Sequence, residues 1–263
     1  MRKFTKVVAG ALAGCMVAAG CLALAGCGGS SSQQADYKLL EDGKLTVITS
    51  ADYPPMESLE NGEIVGFDPA LINAIGEKLG LEVEIKNQAF DSLVTAIAGG
   101  STADVAISAI TIDDERAKEV DFTNSYYDSN LAVVVLADSE LAAKEDLNAA
   151  EFTVGAQSGS SGEAWAKENL KDAKYVQYQE TPDLLAALRT GKIQAAIYDD
   201  PVAEAHVSGE YTDCKVLEVI PTGEQYGIIV NKDNAALTED INSALADLTS
   251  DGTMDTLLTE YLG

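Results

Sequence analysis

From Lys44 onward the chain alternates between short β-rich runs and stretches whose apolar residues recur every three or four positions. Leu45–Thr49 is the first β-rich run. Leu71, Ile72, Ile75 and Leu79 then share one face of a helix that Gly80 should end. Gly66-Phe67-Asp68-Pro69 predicts its start, with Asp68 as N-cap and Pro69 in the first helical position. Strand Leu81–Lys86, helix Phe90–Ile97 and strand Val105–Ile107 follow, then two further β-rich runs, Val120–Phe122 and Leu131–Leu136. A second series begins near Asp138. It predicts strands at Phe152–Gly155, Lys174–Tyr178, Ala195–Tyr198, Val216–Ile220 and Tyr226–Val230. Helices are predicted between them at Ser161–Leu170, at Thr181–Thr190 and from Pro201 to Val207. Two amphipathic helices close the chain, one on Leu237, Ile241, Leu245 and Leu248, the other on Met254, Leu257, Leu258 and Tyr261. Repeated βα units with short connections predict an α/β fold of open, mostly parallel sheets.

The first 26 residues break this pattern. Arg2, Lys3 and Lys6 precede an Ala/Gly-rich apolar run to Gly26, the layout of a secretory signal. Leu24-Ala25-Gly26-Cys27 matches the lipobox of bacterial lipoproteins, so Cys27 is the expected lipidation site and new N-terminus. Leu12-Ala13-Gly14-Cys15 matches too, but cleavage there leaves too short an apolar region, and Cys21 lacks the preceding large aliphatic residue. An uncleaved membrane anchor is the alternative. Residues 27–43 read as a flexible polar tether. The expectation is an exported protein held to the extracellular face of the cell membrane by lipid alone.

Charge and rare residues narrow the partners. The chain has 17 basic and 43 acidic residues; removing the signal leaves 14 basic ones and a net charge of −29. Such a surface repels nucleic acid and anionic lipid. With Cys27 lipidated, Cys214 stands alone, so no internal disulfide forms. His206 is the only histidine, which leaves no Cys/His metal cluster and no metal or other cofactor expected. It reads as an exposed helix residue without a role.

The candidate chemistry lies where strands end. Val105–Ile107 runs into Ser108 and Thr111, followed by a helix-like acidic run with Arg116 among Asp113, Asp114 and Glu115. Small residues at a strand's carboxyl end let a ligand approach, and arginine's planar fork suits a carboxylate. The alternative is a surface helix on which Arg116 pairs with its own neighbours. In the second series, Gln157-Ser158-Gly159-Ser160-Ser161-Gly162-Glu163 opens a helix with the capping-box spacing of Ser160 and Glu163. The same turn offers N–H groups and hydroxyls to an anion. Tyr198-Asp199-Asp200-Pro201 ends another strand with two carboxylates that suit an ammonium group, or that simply cap the helix after them. An arginine with hydroxyls in one half and an aspartate in the other would recognise a zwitterion, the α-carboxylate and α-ammonium of a free amino acid.

Several segments together resemble the amino-acid-binding solute receptors of ATP-driven importers, family 3: LTVITSADYPPMES, GEIVGFDPALINAIGEKLG, FDSLVTAIAGGSTADVAISAITIDDERAKEVDFTNSYYDS, VGAQSGSSGE, GKIQAAIYDDPVA, EQYGIIVNKDN and INSALADLTSDGT. The resemblance covers about residues 43–262. It implies a two-lobed periplasmic-binding-protein-like (type II) fold whose lobes close on the ligand. Lobe 1 is residues 44–131 with a return over 231–263, lobe 2 is 132–230, and LAVVVL and YGIIV are the crossing strands. By position, Arg116 matches the carboxylate-binding arginine, Ser108 and Thr111 match residues contacting the amino and carboxylate groups, and Ser161, paired with Ser160, matches the hydroxyl that completes the carboxylate site. Asp199 matches the ammonium-binding aspartate. Tyr53 and Phe90 match aromatics along the ligand side chain, or else are core. Ser50, Gln157 and Tyr198 match positions that vary with specificity. Members that bind basic amino acids often carry an acid where Ser50 stands, and Asp52 or Glu57 would have to substitute. The implied function is a monomeric, non-enzymatic receptor that passes a polar amino acid (glutamine, arginine, histidine or cystine) to ABC permease and ATPase subunits. A cyclohexadienyl-dehydratase-like enzyme and a ligand sensor are the alternatives on the same scaffold.

Overall fold

A computed structural model describes residues 37–263; the signal sequence, Cys27 and the tether as far as residue 36 lie outside the described residues. Residues next to them are already docked. Leu40 N–H donates to Asp104 Oδ1 at 2.8 Å, and Asn234 Nδ2 donates to the Lys38 carbonyl at 2.9 Å.

Two five-stranded sheets carry the architecture. The first has the order Glu82–Asn87, Lys44–Thr49, Val105–Ala106, Ile229–Val230, Asp121–Phe122. Its first three strands are parallel, and Ile229–Val230 runs antiparallel to both its neighbours. The second has the order Lys174–Tyr178, Thr153–Gln157, Ala195–Asp199, Tyr127–Leu136, Cys214–Tyr226, again three parallel strands beside antiparallel ones. Sequence periodicity misses a small antiparallel sheet of Asp52–Tyr53, Glu57–Glu60 and Glu63–Val65, whose polar strands carry no apolar alternation.

The passage between the sheets differs from the expected one. LAVVVL lies inside the second sheet, where Leu131–Val134 pair with strand Ala195–Asp199. Ile229–Val230 of YGIIV lie inside the first. The ribbon joining the halves is Tyr127–Ser129 paired with Glu224–Tyr226. Apolar runs mark sheet interiors, whereas this ribbon keeps Asp128 and Gln225 exposed. Val216–Ile220 and Tyr226 likewise belong to one long irregular strand, Cys214–Tyr226, with register shifts at Val216/Glu218 and Ile220/Glu224.

Helix Phe67–Leu79 buries Leu71, Ile72 and Ile75 completely and ends at Gly80 in the left-handed conformation. Burial of each such side chain contributes about 1.5–3 kcal/mol. The predicted cap is corrected: the helix starts at Phe67, and Gly66 is its N-cap. Asp68 sits one residue inside with its carboxylate buried in a hydrogen-bond network. The acidic run after Thr111 shortens to a 3-10 turn, Arg116–Lys118, because strand Asp121–Phe122 begins almost at once. Its entry is fixed by Asp113 Oδ1, which accepts from Glu115 and Arg116 N–H at 2.9 Å each.

His206 is also corrected. It is 6% exposed, packed between Tyr198 and Tyr211 at ring distances of 5.8 and 5.2 Å. Burial pushes its pKa down to about 4, opposed by a hydrogen bond to the Pro54 carbonyl. Helix Asp200–Ser208 turns this face inward, so a polar side chain replaces the apolar one that periodicity would require. Cys214 is buried and, among the described residues, unpaired.

Candidate functional site

Residues that end or follow parallel strands of both sheets line one cavity. Ser50 follows Lys44–Thr49 and Ser108 follows Val105–Ala106, while Gln157 and Asp199 are the last residues of Thr153–Gln157 and Ala195–Asp199. Open α/β sheets place ligands at such carboxyl ends. Tyr53, Phe90, Thr111, Arg116, Ser160, Ser161 and Tyr198 complete the set, so the structure brings all eleven sequence-selected residues together.

Arg116 is held before any ligand is considered. Its Nε pairs with Asp113 Oδ2 at 3.1 Å, Nη1 donates to the Thr111 carbonyl at 2.6 Å and Nη2 to the Gly159 carbonyl at 2.9 Å. Guanidinium has five N–H donors, so one remains uncommitted on each terminal nitrogen. The guanidinium lies 5.6 Å from the Phe90 ring centroid. The side chain thus pairs with its neighbour Asp113 and also lines the cavity. Burial lowers its pKa, with Asp113 opposing, and the group stays charged. Nearby, Ala109 adopts φ +45°, rare for a residue with a Cβ, with its N–H donated to Asp68 Oδ2 at 2.7 Å.

Across the cleft, Ser160 caps helix Ser161–Asn169 by accepting from Glu163 N–H at 3.1 Å, while Glu163 accepts from Gly159 N–H at 2.6 Å. Gly162 lets this helix approach strand Ala195–Asp199; a Cβ there would lie 2.5 Å from the Ile197 carbonyl oxygen. Ser161 and Thr111 hydroxyls both donate to Glu224 Oε2, each at 2.9 Å. Sequence reasoning missed Glu224. The only signal was a charged residue in the polar break TGEQ, ahead of YGIIV.

Asp199 is 7% exposed and accepts from the Tyr226 hydroxyl at 2.7 Å, while its own N–H donates to the Tyr53 hydroxyl at 2.9 Å. Its side chain makes no helix cap. Burial, with the Glu224 charge adding, pushes its pKa up to about 7 against the opposing effects of Tyr226, Tyr53 and Arg116. Asp200 turns away, accepting from Asn130 N–H at 2.9 Å and from Ser129 Oγ at 3.3 Å. The Tyr53 and Tyr198 rings meet edge to face at 6.4 Å, so they are packed against each other as well as lining the cavity.

Two further acids line the same space. Asp52 accepts from Ser50 Oγ at 2.9 Å, from Gln157 Nε2 at 3.1 Å and from Thr181 N–H at 2.8 Å, joining the two halves. Glu57 accepts from Ser108 Oγ at 2.8 Å, and Ser108 Oγ in turn accepts from Ser50 N–H at 3.0 Å. Burial and the neighbouring Asp68 carboxylate push Glu57 well above the usual carboxylate range; burial takes Asp68 to about 6. Glu57 Oε2 and Asp68 Oδ1 are each left without a donor, and one proton shared by the two carboxyls accounts for both. Among the described residues no group of three His, Cys, Asp or Glu side chains is placed to hold a metal ion.

Comparison with known proteins agrees with this geometry. The chain is 33% identical over 226 residues to the arginine-binding extracellular protein ArtP of Bacillus subtilis, covering 84% of this chain and 88% of that one. It superposes with a TM-score of 0.79 on an ancestral arginine-binding protein bound to arginine, at 36% identity, covering 84% and 99% of the two chains. A TM-score of 0.79 at 30% identity, covering 84% and 96%, relates it to AncCDT-1, an ancestral amino acid-binding protein described as a precursor of cyclohexadienyl dehydratase. The profile of the bacterial extracellular solute-binding proteins, family 3, matches residues 45–263. With two mixed α/β sheets facing one polar cavity, the chain belongs to that family.

Proposed function

We propose that this protein is an exported receptor, anchored through a lipidated Cys27, that captures a free amino acid between its two sheets and passes it to an ABC-type permease. The observation that carries the reading is the division of charge in one cavity. Arg116 keeps two donors beside the Thr111 and Ser161 hydroxyls, and Asp199 stands among Tyr53 and Tyr226. The first set suits an α-carboxylate and the second an α-ammonium. Charge-assisted bonds at both ends supply micromolar to nanomolar affinity, about −8 to −12 kcal/mol, only when closure excludes water.

The side-chain end favours a long cationic or polar ligand. Asp52 lines the cavity, a carboxylate near Ser50, where no acid stands, and the similarity to arginine-binding proteins points the same way. Arginine is the first candidate, ahead of glutamine, histidine and cystine. A thermal-shift screen of the twenty amino acids plus cystine tests this, since a ligand bound only by the folded state raises its apparent stability. A midpoint increase confined to arginine and its near analogues supports the proposal, and no increase with any amino acid refutes the receptor reading. Turnover of prephenate would instead establish the dehydratase alternative, for which Glu57, a carboxyl whose pKa burial pushes well above the usual range, is the candidate acid.

A further inference from the structure

Glu224 lies in the ribbon that joins the two halves, opposite Ser129, where strand Cys214–Tyr226 changes register. Its carboxylate oxygen Oε2 accepts from two hydroxyls that come from opposite sides of the cleft. Thr111 follows the strand Val105–Ala106 of the first sheet, and Ser161 opens the helix after strand Thr153–Gln157 of the second. Arg116 and Asp199 both feel its charge, Arg116 being stabilised in its protonated form and Asp199 in its neutral one. A side-chain carboxylate of the protein therefore already occupies the hydrogen-bonding position that the proposed function gives to the carboxylate of an amino acid.

The two carboxylates are mutually exclusive there. Each hydroxyl has one proton to donate, so Thr111 and Ser161 cannot both serve Glu224 and a second anion. Two carboxylates brought to the same pair of donors also repel one another. We propose that Glu224 is a resident competitor for the α-carboxylate subsite. An entering amino acid displaces its carboxylate from Thr111 and Ser161, so Glu224 lowers affinity and selects against ligands too weak to drive the exchange. Because Glu224 belongs to the connecting ribbon, the exchange takes place at the joint about which the halves would move. This inference rests on the assignment of Arg116, Thr111 and Ser161 to a ligand carboxylate, and its test separates the two.

The test uses the full mature chain, with calorimetric titration of L-arginine and L-glutamine into the wild type, Glu224→Gln, Glu224→Ala and Arg116→Ala. Glu224→Gln keeps the size and one acceptor but removes the charge, so it should bind about tenfold more tightly, equivalent to one hydrogen-bonded exchange no longer opposed. Glu224→Ala supplies a readout independent of the amino acid. Sodium acetate should raise its melting midpoint above that in sodium chloride of equal ionic strength, because acetate takes the vacated position, while the wild type shows no such difference. Unchanged or weaker affinity in Glu224→Gln, with no acetate effect in Glu224→Ala, overturns the competitor role. Should Arg116→Ala nevertheless abolish binding in that case, the carboxylate subsite itself stands. Wild-type affinity in Arg116→Ala overturns the subsite and the competitor together.

Discussion

Replacing Arg116 by alanine probes the site at its most constrained side chain. Arg116 commits three donors to Asp113, the Thr111 carbonyl and the Gly159 carbonyl, and keeps two for a ligand. Losing two charge-assisted bonds costs about 1.5–3 kcal/mol each, and a carboxylate left buried without its partner adds desolvation. The bond to Gly159 spans the two halves, so its loss removes about 1 kcal/mol more from the closed form. Because part of this is regained by water entering the gap, a net loss of about 3–4 kcal/mol is expected, two to three orders of magnitude in Kd. Arg116→Lys should recover only part, since an ammonium cannot reproduce the planar fork. Calorimetry with the ligand found by the amino-acid screen gives the affinities, and ligand-free melting midpoints verify that both variants fold. Affinity within threefold of wild type for Arg116→Ala would show that the guanidinium serves only the turn around Asp113.

Other expectations follow from neighbouring groups. Asp199→Asn should weaken binding by roughly ten- to a thousandfold, as expected for loss of a buried charge pair, whereas Asp200→Asn, facing Ser129 and Asn130, should change affinity by less than about threefold; equal losses in calorimetry would contradict the assignment. The Asp199 pKa is raised to about 7 in the folded chain, above its unfolded value, so the folded state holds a proton that the unfolded state releases. Ligand-free stability contributed by this proton should therefore be full below about pH 4 and be lost as pH rises to about 7, with Asp199→Asn flattening the profile measured by urea titration. Affinity should change in the opposite sense, falling below pH 7 as Asp199 is protonated, and a flat affinity profile from pH 5 to 8 would count against ammonium binding. Cys27→Ala should abolish incorporation of labelled fatty acid, and persistent labelling would point to Cys15 or Cys21 instead.

Part of the cavity lining was legible because strand ends announce themselves. Short apolar runs stop ahead of Ser108, Gln157 and Asp199, and topology then gathers those ends, whereas Ser50, Tyr53, Phe90 and Tyr198 were marked only by the resemblance to family 3 receptors. Helix faces such as Leu71, Ile72 and Ile75 were legible for the same reason, a period set by burial. What stayed hidden depends on partners distant in sequence. Asp68 has the local signature of a cap but is drawn inward by Ala109 and Tyr126, 41 and 58 residues away. His206 has a polar ring on a polar-looking helix, and only the packing of Tyr198 and Tyr211 buries it. The connecting ribbon at Tyr127–Ser129 and Glu224–Tyr226 was displaced from the apolar runs, since strands that leave a sheet lose the burial that makes strands visible. Glu224 combines these obstacles, an acid in a polar break whose two partners lie 113 and 63 residues away.

Capture of both charged ends of an amino acid is the central claim, and one calorimetric comparison addresses it directly. The amino acid identified by the screen is titrated alongside its N-acetyl derivative and its methyl ester. Acetylation removes the charge that Asp199 would meet, and esterification removes the charge that Arg116 would meet. Each also adds bulk between residues already bonded across the cleft. Both derivatives should lose at least a thousandfold in affinity, about 4 kcal/mol. Tight binding of the N-acetyl derivative would remove Asp199 from the recognition scheme, tight binding of the ester would remove Arg116, and tight binding of both would contradict the account.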